Sequence, residues 1–207
     1  MKRSIINEIK SFKERSEYNS RFHYNYRLED IENAFKSYFE HNKENDIELL
    51  KYIPIATVAC FESFFRSAIK DIIDYGEPFS THIINFNQAK NVKFDFEIVS
   101  AIQTKTVTLG DFISHILPYN NIEDINSNLS ILAGKDFLDS LKTFEKKSIY
   151  DNNTESSLFF RENYDQIIVD IKRTFELRHI FCHEFATNLY IEKEEIFKCF
   201  YSSKRFL

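Results

Sequence analysis

Three glycines and three prolines in 207 residues leave this chain with almost no backbone punctuation. Sandwiches and barrels draw on those residues for frequent turns, so an all-β fold is excluded and helices are expected. Tryptophan is absent, and the aromatic complement is 22 Phe and 11 Tyr, which reads as core filling. The three cysteines, Cys60, Cys182 and Cys199, are odd in number and far apart. They make no disulfide framework and suit the reduced thiols of a cytoplasmic protein. No run of about 18 apolar residues exists, so no membrane span is expected. Met1-Lys2-Arg3-Ser4 leads into an amphipathic stretch and not an apolar run, so no signal peptide is expected. Excess positive charge is lacking too. The net charge of −5 argues against a broad, sequence-independent grip on nucleic acid, but leaves room for a small site that handles one phosphate.

What is present is a 43% hydrophobic chain, enough for a core and too much for disorder. Its length suggests a single domain over 1–207. Helical spacing of apolar residues predicts helices at 4–15, 27–41, 46–75, 95–104, 108–117, 122–133, 136–147, 161–184 and 191–206. Gly76 and Pro78 stop the third of these, and Pro54 is placed to kink or restart it. Residues 79–95 read as a peripheral loop with room for one helical turn, and 148–160 as a mobile polar loop. The segment Ala56–Ile73 is apolar over so wide a face that it calls for several neighbours or another subunit.

The helix predicted at 161–184 carries a local contradiction. At about 100° per residue, Tyr164, Ile167, Ile168, Ile171 and Phe175 form one apolar stripe, and Arg178 falls inside it. A permanent charge on a core-facing stripe is costly unless an anion meets it, and such violations tend to mark function. Arg178 opens the run Arg178-His179-Ile180-Phe181-Cys182-His183, which holds two of the six histidines.

That run resembles the R-x(4–6)-H signature of the HEPN superfamily, in which a polar residue, here His179, follows the arginine. The setting is similar as well: the motif lies near the end of a long helix late in the chain, and a further helix follows. The earlier apolar helix with Phe61-Glu62-Ser63-Phe64-Phe65-Arg66 resembles the family's first core helix. The resemblance covers about 46–75 and 160–206, leaving 79–150 as an elaboration inserted into an all-α, HEPN-like bundle. It implies a metal-independent endoribonuclease that needs no cofactor, of the kind found in toxin and antiphage-defence systems. Such a protein acts as a homodimer with a composite site and pairs with an antitoxin or defence partner. By position, Arg178 would bind the scissile phosphate, His183 would move protons, and His179 would orient or assist. One departure matters. Family members paired with nucleotidyltransferase antitoxins carry a tyrosine two residues after the histidine, and this chain has Phe185 there.

The chemistry is coherent from the residues alone. RNA supplies its own nucleophile, the 2′-hydroxyl. Cleavage needs a proton acceptor that titrates near neutrality and a cation facing the growing phosphorane charge. Geometry adds a condition: five residues place Arg178 and His183 about 140° apart on an ideal helix. Either the helix deforms there, or a second chain completes the site. Glu62 is expected either to hold Arg178 or a histidine as a supporting carboxylate, or to form a flank pair with Arg66. The structural alternative pairs Arg178 with Glu62, Glu176 or Glu184. Lys172 and Arg173 are candidates for further RNA contact, or for a solvated face. His179, Cys182 and His183 have a zinc-compatible spacing, but no fourth ligand is evident and Arg178 would repel the ion. Cys182 is therefore expected in the core. A non-catalytic dimeric scaffold or ligand-binding module is the alternative to the enzyme.

Overall fold

In a computed structural model that describes residues 4–15, 20–41, 47–87, 96–143, 161–184 and 191–207, every regular element is helical. They are α1 (Ile5–Arg15), α2 (Ser20–His41), α3 (Ile47–Tyr75), a 3-10 helix (Phe79–Asn85), α4 (Phe96–Gln103), α5 (Leu109–Ile116), α6 (Ile122–Ala133), α7 (Phe137–Lys142), α8 (Tyr164–His183) and α9 (Lys193–Phe206). The all-α expectation holds. Most boundaries fall within two residues of the apolar periodicity, but three features differ. Helix α2 begins seven residues earlier than expected, because its first turns carry Tyr24, whose ring stands edge-on to Phe64 at 4.6 Å. Helix α7 ends at Lys142 with a turn at Thr143, and the rest of the expected 136–147 lies outside the described residues. Helix α3 runs unbroken through Pro54. The expected loop at 148–160 lies outside the described residues.

The chain divides into two compact units, and the boundary cuts α3 between Glu62 and Ser63. One unit takes Met1–Tyr24, Ser63–Tyr119 and Glu123–Phe137; the other takes Asn25–Glu62, Asn120–Ile122 and Leu138–Leu207. So the expected core segment 46–75 is shared between units, and most of the described middle of the chain joins α1 and the end of α3.

In the first unit, buried Ile6 and Ile9 of α1 are joined by Phe65, Ile69 and Ile73 of α3, Phe112 and Ile113 of α5, and Ile125, Leu129 and Leu132 of α6. Gly76, at φ 100°, ends α3 in the left-handed conformation that glycine adopts freely. Helix α5 opens on a capping box. The Asp111 amide donates to Thr108 Oγ1 at 2.9 Å, and the Thr108 amide donates back to Asp111 Oδ2 at 2.9 Å. Burial pushes the Asp111 carboxyl up, but Lys13 at 2.8 Å and the Thr108 amide outweigh it and hold the group below the usual carboxylate range. Asp74 ties α3 to this cap, accepting from Thr108 Oγ1 at 2.7 Å and from the Gly110 amide at 2.9 Å.

That close approach requires glycine. A Cβ on Gly110 would meet the Lys70 carbonyl oxygen and lie 2.6 Å from Asp74 Oδ1. Gly110→Ala is expected to lower unfolding free energy by about 1–3 kcal/mol. The overpacking overrides the roughly 1 kcal/mol of helix propensity that alanine adds. Urea unfolding measures it; an unchanged or raised midpoint would show that α3 and α5 separate without cost.

The second unit buries Leu28, Ile31 and Phe35 of α2, Leu50, Ile53 and Phe61 of α3, and the inner faces of α8 and α9. Phe61 sits at its centre, edge-on to Phe175 at 5.7 Å and stacked on Phe206 at 5.9 Å. Helix α2 is pinned to α9 through Glu32, which accepts from Lys204 at 2.6 Å and also faces Lys36 at 2.6 Å. These contacts, Lys204 foremost, pull the Glu32 carboxyl from 4.5 down to about 2. A depressed folded value means the pair stabilises the fold above about pH 4.5 and loses that contribution as pH falls toward 2. We expect Glu32→Gln to flatten the acid slope in this window, removing a contribution of about 1 kcal/mol. The figure is kept small because the two lysines remain open to solvent. Thermal midpoints of both proteins from pH 6 to pH 2 measure the difference; parallel slopes would remove Glu32 from the acid response.

Candidate functional site

Helix α8 has two buried faces. The first is the expected stripe: Tyr164, Ile167, Ile171 and Phe175 are buried and Ile168 is partly so. The second consists of Asp170, Thr174 and Leu177, and it packs against α9. Asp170 is 5% exposed and well satisfied. Ser202 Oγ donates to its Oδ2 at 2.7 Å, Gln166 Nε2 donates to its Oδ1 at 2.8 Å, and Lys198 Nζ stands 3.4 Å from the same oxygen. A buried carboxylate with this many donors fixes the pairing of α8 and α9, and thereby the pose of the segment that follows it. Cys199 lies in the same seam, and burial pushes its thiol up to about 11, as it does for Cys60 in α3. Neither thiol is a nucleophile at neutral pH.

The motif occupies the last turns of α8. Arg178 extends the stripe as expected, but at its open end, with its side chain 31% exposed. Its Nη2 lies 3.7 Å from Glu62 Oε1, an ion pair too long for a hydrogen bond. His179 and His183 are one helical turn apart on another face, both exposed, with ring centroids 5.2 Å apart. The helix stays regular through His183 and ends when the Glu184 amide donates to the Ile180 carbonyl at 2.9 Å. No deformation turns Arg178 toward His183, so the angular separation expected from the sequence persists.

Several sequence expectations resolve here. Glu62 turns to Arg178 and makes no flank pair with Arg66. Arg66 instead lies over the rings of Phe12 at 5.1 Å and Tyr119 at 5.4 Å. Cys182 is exposed and not in the core: it keeps the angle of the stripe but lies in the last turn of α8, beyond the stripe's covered length. Arg173 is engaged: Nη1 meets Glu176 at 2.8 Å and Nε donates to Glu195 at 2.7 Å. Burial pushes this guanidinium's proton affinity down, and the two carboxylates more than restore it. Lys172 is exposed. Among the described residues, no group of three or more His, Cys, Asp or Glu side chains is placed to hold a metal ion. Phe185 lies outside the described residues. No described helix is long and apolar enough to cross a membrane.

What the arrangement offers is a pair of exposed imidazoles on one face of the helix end and, on another, a guanidinium that a carboxylate holds loosely. Two further features had no signal in the sequence: the Asp170–Ser202 contact, 32 positions apart, and a cleft around Arg66 in the other unit. No family model, no curated protein and no solved structure matches this chain.

Proposed function

We propose that this chain is a metal-independent endoribonuclease of HEPN type, acting as a homodimer in a toxin or antiphage-defence setting with an antitoxin or defence partner. The observation that carries the reading is the end of α8. His179 and His183 stand together in solvent, and Arg178 is held by a long contact to Glu62 that an incoming phosphate can replace. Arg178 binds the scissile phosphate and offsets charge on the phosphorane, since a fork-shaped cation suits two phosphate oxygens. His183 moves the proton from the 2′-hydroxyl or to the leaving 5′-oxygen, and His179 orients it. Glu62 keeps the guanidinium extended until RNA arrives.

Because Arg178 and His183 of one helix diverge, a single phosphate is best gripped by Arg178 of one copy and His183 of another. The wide apolar face of α3 no longer argues for that second copy: Val58, Cys60, Phe61, Phe65, Ile69 and Ile73 are buried within the chain. The dimer rests on the chemistry of the site. Purified protein is expected to cleave single-stranded RNA in EDTA, with a rate that follows the dimer fraction measured by sedimentation. Silence at concentrations where the dimer is populated overturns the enzyme, and full activity of the monomer overturns the composite site.

The Arg178–Glu62 pair also favours a second reading, in which the motif organises a non-catalytic scaffold. There, Arg178 serves only to close the open end of the α8 stripe.

A further inference from the structure

We propose that the cleft lined by Asn7, Glu8, Ser11, Phe12, Arg15, Arg66 and His115 binds a small organic phosphate of about nucleoside-monophosphate size. The site lies wholly in the first unit, and its residues are separate from the α8 motif. Helix α1 buries Ile6 and Ile9 on one side and turns Asn7, Glu8, Ser11, Phe12 and Arg15 toward the cleft. Those five positions are spaced i, i+1, i+4, i+5 and i+8, so they share one flank of the helix. Arg66 of α3 enters the same space.

The state of Arg66 makes this a binding site and not merely a depression. Its guanidinium lies over Phe12 at 5.1 Å and Tyr119 at 5.4 Å. Ring contacts engage the faces of a guanidinium and leave its in-plane N–H groups to donate. Its Nε is buried and has no hydrogen-bond partner. A permanent cation held by rings, with a buried Nε unanswered and no carboxylate facing it among the described residues, is costly, and an anion at the open end of the guanidinium offsets part of that cost. Among the described residues Arg15 faces no carboxylate, and Asn7 and Ser11 make no side-chain hydrogen bond, so a second cation and two neutral polar groups stand ready beside Arg66. The one acid in the lining, Glu8, is turned to His115, with Oε2 3.4 Å from Nε2. That polarity fixes an orientation. The phosphate sits toward Arg66 and Arg15, and the organic part extends toward Glu8 and His115, where a carboxylate accepts from hydroxyl or amino groups. The cleft measures about 620 Å³, well beyond a bare phosphate and within the range of small-molecule sites.

Titration calorimetry of the full chain with adenosine 5′-monophosphate, adenosine, inorganic phosphate and a hexaribonucleotide bearing a 5′-hydroxyl tests this. The monophosphate is expected to bind at least about tenfold more tightly than either adenosine or inorganic phosphate, a margin one charge-assisted contact supplies. Arg15→Ala is expected to weaken the monophosphate about tenfold with an unmoved thermal midpoint, since Arg15 is exposed. Arg66→Lys, which keeps the charge and loses the fork, is expected to weaken it further. The proposal is overturned if the monophosphate fails to bind at millimolar concentration, if adenosine binds as well, or if Arg15→Ala binds unchanged. Hexamer binding that Arg15→Ala weakens and the monophosphate cannot displace would assign the cleft to nucleic-acid backbone instead. These readouts need no RNA cleavage, so they stand whichever way the ribonuclease test falls.

Discussion

Arg178→Ala and His183→Ala are each expected to lower the rate of RNA cleavage by about 10²–10⁴ while leaving the chain folded. In the proposed mechanism both groups act on the transition state: one faces the charge that grows on the phosphorane, the other transfers a proton. His179→Ala is expected to cost less, because an orienting ring is replaced in part by water. The same two variants separate the enzyme from the scaffold when stability is measured on the same samples. The Arg178–Glu62 contact is 3.7 Å long with both side chains about one-third exposed, the kind of pair that contributes about 0–1 kcal/mol. Losing it moves the thermal midpoint by a few degrees at most, and removing a charge from the apolar stripe works in the opposite direction. A buried structural pair would behave otherwise, costing roughly 3–5 kcal/mol when one partner is left stranded. Lost cleavage with a nearly unmoved midpoint is the signature of the nuclease. A fall of many degrees, in a protein whose parent cleaves nothing, leaves the scaffold.

Helices were legible where periodicity and punctuation agree. Gly76 and the apolar run before it marked the end of α3 to the residue, and the spacing of Ile122, Ile125, Leu129 and Leu132 marked α6. The start of α2 was not legible, because Tyr24 earns its place by packing on Phe64, forty positions away. The division of α3 was hidden for a related reason: an evenly apolar helix carries no mark of where its partners change.

The site shows the same limit. The helical wheel placed Arg178 on the stripe and separated it from His183, both of which depend only on local spacing. It did not choose among Glu62, Glu176 and Glu184 as partner. In the structure Glu62 faces Arg178, while Glu176, two residues from it in sequence, is taken by Arg173. Nor did it distinguish the end of a stripe from its middle, which is why Cys182 emerged in solvent. The Arg66 cleft draws on α1, α3 and α5, three segments with no local pattern in common.

Chemical substitution of the substrate is expected to give an all-or-none result. If the 2′-hydroxyl is the nucleophile, RNA carrying a 2′-O-methyl or 2′-deoxy group at the scissile nucleotide should resist cleavage by at least about 10³ relative to the parent RNA, and DNA should not be cut. Removing the nucleophile removes the reaction, because the proposed step has no other attacking group. The products should carry a 2′,3′-cyclic phosphate on one fragment and a 5′-hydroxyl on the other. In that step the 2′-oxygen forms its bond to phosphorus as the bond to the 5′-oxygen breaks. One imidazole takes the 2′-proton and another supplies a proton to the leaving oxygen, so no water and no metal enters the balance. Mass spectrometry of the fragments distinguishes a cyclic phosphate from a linear one by the mass of one water. Cutting of the 2′-O-methyl substrate, a 5′-phosphate on the downstream fragment, or activity lost in chelator and restored by magnesium would each replace the 2′-hydroxyl with an activated water. The roles proposed for Arg178 and His183 in 2′-hydroxyl attack would then fall.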